Sequence, residues 1–162
     1  MARRLVARLR SAGAARRHLT LLKRILLSGS AAAAAVTLVA SIAGRRATGA
    51  YAAPLNATSH FLWGKRAARK NELSWKYTGI GLAANTGACV FWALFAEALK
   101  GPSPSAARAL ASGAAVSGLA YVTDYQIVPK RLTPGFELRL PGRALVAIYA
   151  ALALGLSASR RR

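Results

Sequence analysis

Four long stretches of this chain carry no charge, although the chain as a whole holds 24 Lys and Arg against four acids. Twenty uncharged residues separate Arg24 from Arg45, 20 separate Lys76 from Glu97, 15 separate Arg108 from Asp124 and 16 separate Arg143 from Arg160. A soluble nucleic-acid binder with a net charge of +20 would spread its cations over the folded surface; here they are gathered between apolar runs. A hydrocarbon core about 30 Å thick takes roughly 20 apolar residues of helix, fewer where flanking Arg and Lys reach back to the headgroups. The segregation predicts an all-α membrane protein with about four transmembrane helices, over residues 25–44, 77–99, 106–128 and 143–159. The expected partner is the lipid bilayer, with no nucleic acid. Association with further copies of the chain is left open.

The N-terminal 24 residues hold eight cations and no acid, interleaved with apolar residues as in "RRLVARLRSAGAARRHLTLLKR". Such a tail is retained in the cytoplasm by the positive-inside rule, and as an amphipathic helix it would also rest on anionic headgroups. Ala50-Tyr51-Ala52 resembles a leader-peptide cleavage site, but the apolar run before it is too long and is interrupted by Arg45-Arg46. Residues 25–44 therefore read as a retained anchor, and 25–159 as a single bundle in a bacterial inner membrane.

One further run lacks charge: the 18 residues 47–64, which include "APLNATSHFLWG". Four crossings would leave 13 basic residues on the N-terminal side and 11 on the other, whereas a fifth crossing through this run would give 17 and seven. Asn56, Thr58, Ser59 and His60 beside Pro54 make it a poor spanning helix. A short re-entrant or interfacial helix at about 53–64 accommodates both facts, and the side of the C-terminus stays open. Between the second and third helices, Gly101, Pro102 and Pro104 predict a tight turn, with Ser105 capping the next helix. Pro134-Gly135 suits a type II turn. Gly79, Ala83 and Gly87 in the second helix, and Gly113 and Ser117 in the third, offer small faces for close packing.

On a helix beginning near Pro54, residues Asn56, Ser59, His60 and Trp63 share one face. Tyr121, Asp124 and Tyr125 cluster by the same spacing in the third helix, as Asn85, Cys89 and Trp92 do in the second. An acid at membrane depth needs a partner, so Asp124 is a candidate functional residue, with His60, Lys130, Arg131 or a tyrosine hydroxyl as the expected partner. Lys130 and Arg131, beside Thr133-Pro134-Gly135, are candidate contacts for a lipid headgroup. Glu97 with Lys100, and Trp75 with Tyr77, read as interfacial anchors.

Two His, one Cys and four acids scattered among segments offer no metal-ligand spacing, and no cofactor motif is present. Ser59-His60 are sequence neighbours without the base, orienting acid and oxyanion donors that acyl transfer needs. The match of Asn56-Ala57-Thr58 to a glycosylation sequon is accidental in a chain this rich in Ala and Arg. The residues thus predict a non-enzymatic structural or interaction protein in which the polar segment packs on Tyr121, Asp124 and Tyr125. The alternative is a small ion-coupled carrier with a polar path through His60 and Asp124.

"APLNATSHFLWG" at 53–64 and "DYQIVPKRLTPGFE" at 124–137 together resemble a group of small multi-pass inner-membrane proteins of proteobacteria. A similar Asn-Ala-x-Ser-His-x-x-Trp-Gly segment follows the first helix there. The resemblance covers residues 30–157 and implies a multi-pass membrane fold. It carries no established activity.

Overall fold

The computed structural model describes the backbone of residues 2–158, with side chains at residues 16 and 18–158. Regular structure in that range is helical throughout, with no strand. The first helix, α1 (Ala2–Thr48), runs without a break through both the basic tail and the first apolar stretch. Nothing between those bounds is a Pro, and Ala, Leu and Arg are strong helix formers, so no boundary forms at Arg24. The expected division between a tail of 1–24 and a helix starting at residue 25 is thus not a break in structure. The apolar face expected to rest on headgroups falls largely on side chains outside the described residues.

The segment after α1 forms three short helices, α2 (Ala53–Thr58), α3 (His60–Trp63) and α4 (Lys65–Ala68). Pro54 starts the first, and Gly64, at φ +58°, divides the last two. A π-helical turn at Trp75–Gly79 leads into α5 (Ile80–Lys100), with Ser74 Oγ accepting the Tyr77 N–H at 3.1 Å. Ser105 Oγ accepts the Arg108 N–H at 3.2 Å and starts α6 (Ala106–Val122), which ends in a second π-helical turn at Thr123–Ile127. In the loop that follows, Gly135 sits at φ 83° and ψ −7°, the left-handed conformation that the third position of a type II turn requires. The chain ends in α7 (Gly142–Ser157).

The four long helices form a bundle in which α7 packs on α1 and α6, and α5 packs on the same two. Close approach is set by small residues. A Cβ on Gly155 would overlap the Ala32 backbone, and one on Gly113 would overlap the Ala153 carbonyl. The interior is correspondingly built from Ala32, Ala33, Ala40, Ala93, Ala96 and Ala120, with Trp92, Ile148 and Leu156 among its larger members. The expected small face at Gly79, Ala83 and Gly87 is not part of this packing: Ala83 and Gly87 are exposed, and the α5 glycine that meets another element is Gly81. Spacing alone could not decide between those two faces, because α5 is small-residue-rich on both.

Two helical stretches, His18–Thr48 with 31 residues and Trp75–Lys100 with 26, are long and apolar enough to cross a membrane; α7 is apolar but shorter, with 16 residues. The two ends of the bundle differ. At one end the short turn 101–105 joins α5 to α6, and Arg24 of α1 meets Glu97 of α5, which also pairs with Lys100. At the other end α2–α4 and the loop 128–141 form a cap, which is wedged between the helix ends. The Leu55 carbonyl oxygen occupies the space where Gly81 would carry a Cβ, and Pro54 likewise fills the space at Gly44. Gly81→Val is therefore expected to lower stability by about 1–3 kcal/mol through displacement of α2. A thermal melt of the purified protein unchanged by that substitution would show that α2 does not sit against α5.

Candidate functional site

Beneath the cap lies a cavity of about 170 Å³. Asn85, Cys89 and Trp92 line it from α5, Asp124 from the end of α6, and Ile148 and Tyr149 from α7, while Thr58, Phe61, Thr133 and Phe136 close it from the cap. The turn-by-turn spacing of Asn85, Cys89 and Trp92 puts all three on the buried face of α5, where each is under 10% exposed. Asn85 Nδ2 donates to Thr37 Oγ1 of α1 at 3.2 Å, and Asn85 Oδ1 faces Cys89 Sγ at 4.0 Å.

On the opposite wall the Tyr149 hydroxyl donates to Asp124 Oδ2 at 2.6 Å. The partner of Asp124 is thus a tyrosine hydroxyl, one of the expected classes, but from α7. Tyr149 also packs edge-on against Tyr121 and Tyr125, with ring centroids 5.3 and 6.0 Å away. The Tyr125 hydroxyl reaches Glu137 Oε2 at 3.3 Å, and Thr133 Oγ1 donates to Glu137 Oε1 at 2.5 Å. Three aromatic rings and two carboxylates thereby tie α6, α7 and the cap loop together beside the cavity. Tyr149 and Glu137 were not singled out from sequence. Tyr149 did carry a signal, as the one aromatic in the Ala- and Leu-rich α7.

The polar face of the 53–64 segment goes elsewhere. Asn56 Nδ2 donates to the carbonyls of Lys70 at 3.0 Å and Glu72 at 2.9 Å, and Asn56 Oδ1 accepts from Thr78 Oγ1 at 2.6 Å. Ser59 Oγ returns to the Asn56 carbonyl at 2.8 Å. The ring nitrogens of His60 lie 3.0 Å from the Ala57 carbonyl and 3.1 Å from that of Lys130; a neutral imidazole, with a single N–H, donates to one of the two. Trp63 is partly exposed, with its Nε1 donating to the Lys76 carbonyl at 3.2 Å and the Lys76 ammonium 4.6 Å from its ring centroid. The expected docking of this face on Tyr121, Asp124 and Tyr125 is replaced by hydrogen bonds within the cap and to the turn that leads into α5, mostly to backbone. It is the neighbouring residues, Thr58 and Phe61, that share the cavity with Asp124.

Lys130 and Arg131 are both exposed, and Arg131 Nε donates to the Phe61 carbonyl at 3.2 Å, so that guanidinium also fastens the cap. Arg139 does more of the same work: its two terminal nitrogens reach the Ala68 carbonyl at 2.7 Å and Asn71 Oδ1 at 2.5 Å. Tyr77, read from sequence as an anchor at the interface, is buried, whereas Trp75 is 93% exposed. Glu97 and Lys100, likewise read as anchors, are fully buried in an ion pair of 2.5 Å.

The cavity wall is mostly apolar, and its polar side chains are Asn85, Cys89, Thr58, Thr133, Trp92, Tyr149 and the carboxylate Asp124, with no His, Lys or Arg. Among the described residues no group of three or more His, Cys, Asp or Glu side chains converges to hold a metal. Such a chamber suits a small, largely apolar molecule that donates a hydrogen bond to Asp124 or Asn85. No protein-family model matches the chain, and no curated protein and no solved structure shows significant similarity to it.

Proposed function

We propose that this chain is a non-enzymatic integral membrane protein of the bacterial inner membrane, in which α1, α5, α6 and α7 cross the bilayer and the cavity holds a small apolar ligand. The observation that carries the reading is the distribution of side-chain size. Where the helices approach most closely the interior is Ala, Gly and Ser, with Ala93, Ala96 and Ala120 at 0% exposure and Gly113 and Gly155 against neighbouring backbone, while Val146 at 70% and Leu154 at 63% point outward. Leu38, Leu82, Phe91 and Leu119 continue that outward surface on the other helices. Water would drive the large apolar side chains inward, whereas lipid leaves them outside and rewards close backbone packing of small residues. An apolar exterior of this kind supports contact with a membrane.

The carrier reading has less to rest on, because His60 is held between two carbonyls within the cap and does not border the cavity.

With the N-terminus in the cytoplasm, the four-crossing arrangement puts residue 103 on the cytoplasmic side and residue 71 on the periplasmic side. In a Cys89→Ala background, Ser103→Cys is expected to react with a membrane-impermeant maleimide only after cells are opened, and Asn71→Cys is expected to react in intact cells. Recovery of the protein in the carbonate-soluble fraction would defeat the membrane assignment. Reaction of residue 103 in intact cells would defeat the four crossings alone.

A further inference from the structure

A second concavity, of about 520 Å³, lies on the outer side of the bundle between the capped ends of α1 and α7. Its floor is Val39, Ile42 and Ala43 from α1 with Ala144 and Ala147 from α7, and Arg46 and Arg143 border it. No acid lines it. Both arginines are exposed, and they stand at matching ends of their helices, Arg46 in the last turn of α1 and Arg143 in the first turn of α7. The neighbouring Arg45 is already occupied, donating to the Gly49 carbonyl at 2.5 Å and lying over the Tyr51 ring. α7 begins at Pro141 without a side-chain cap, so the positive end of its dipole adds to the same corner.

The groove therefore has an apolar trough continuing along the helices and two guanidiniums at its mouth. We propose that it is a binding site for an anionic glycerophospholipid, with one acyl chain between α1 and α7 and the phosphate between Arg46 and Arg143. Charge complementarity selects the headgroup, since planar guanidiniums bind phosphate oxygens bidentately and nothing in the groove repels an anion. The trough selects a lipid over a free phosphate. A soluble anion would leave the apolar wall uncovered. This inference rests on the membrane reading above. It concerns a different face from Lys130 and Arg131, which belong to the cap.

The test uses the purified full chain in phosphatidylcholine bilayers containing trace phosphatidylglycerol or phosphatidylcholine, each spin-labelled on the acyl chain. Electron spin resonance reports the fraction of label immobilised by the protein. Phosphatidylglycerol is expected to associate roughly tenfold more strongly than phosphatidylcholine at this site. Arg46→Gln with Arg143→Gln should remove that preference, and Ala147→Leu, which fills the trough without changing charge, should weaken it. Lys130→Gln with Arg131→Gln should leave most of it in place. Equal association of both lipids with the native chain, a preference surviving the Arg46/Arg143 substitutions, or one untouched by Ala147→Leu would each overturn the proposal while leaving the membrane reading intact. Absence of any immobilised lipid would overturn both.

Discussion

Glu97→Gln is expected to cost the protein about 3–5 kcal/mol, the usual consequence of removing one partner from a buried ion pair. Glu97 Oε1 lies 2.5 Å from Lys100 Nζ and Glu97 Oε2 lies 2.7 Å from Arg24 Nη2, with the Glu97 and Lys100 side chains fully buried. Lys100 Nζ also donates to the Leu156 carbonyl at 2.5 Å, so the group joins α1, α5 and α7. The amide would keep the shape of the carboxylate and lose its charge, leaving Lys100 positive in a site closed to water. Arg24, at 18% side-chain exposure, can still reach solvent. Replacing both partners, as in Glu97→Leu with Lys100→Met, should be milder than the single change, since the fully buried ammonium is then gone and the remaining cation, Arg24, lies nearer solvent. Thermal and denaturant unfolding in detergent would measure both; a single variant within about 1 kcal/mol of the native protein would mean that the charges are hydrated in solution.

Asn56→Ala is expected to cost on the order of 3 kcal/mol, because it strips three hydrogen bonds from a site with no exposed surface. The carboxamide ties α2 to the carbonyls of Lys70 and Glu72 and to Thr78 at once. Alanine there leaves the Thr78 hydroxyl to find another partner and frees the return strand of the cap. The local signature should exceed the global one. Trypsin is expected to cleave after Arg69 or Lys70 several-fold faster in the variant, since loosening of that backbone precedes unfolding of the helices. Equal cleavage rates would mean that the loop is held by other contacts, such as those of Arg139.

How much of this was open to sequence reasoning depends on the range of the interaction. Signals that act within a turn or two were readable. The absence of charge marked out the long helices, Ser105 announced itself as a cap, Pro134-Gly135 specified its turn, and the Asn85, Cys89 and Trp92 line falls on one cavity wall. The same periodicity placed Asn56, Ser59 and His60 on a common buried face. It could not say what that face touches, because a helical spacing fixes neighbours along one element and is silent on the element opposite. Asn56 bonds to residues 14 and 16 positions away and His60 to one 70 away, and neither is Asp124. Glu97 and Lys100 failed for a related reason: an i,i+3 charge pair looks identical in sequence at a wet interface and in a closed core. The continuity of α1 through residue 24 was hidden because charge patterning reports the surroundings of a helix, and the backbone carries on regardless.

The pairing of α1 with α7 bears on how the protein is made. α1, which leaves the ribosome well before α7, finds its most extensive partner there, with Gly155 seated on Ala32. The cap repeats the arrangement, since His60 and Arg139 stitch the first loop to one completed only after α6 has emerged. During synthesis the part of α1 around Ala32 that receives Gly155 stays open until α7 arrives, and the interval is set by translation rather than by diffusion. On the membrane reading, a nascent chain truncated before α7 should accordingly remain bound to whatever assists its insertion, and release should coincide with the emergence of α7.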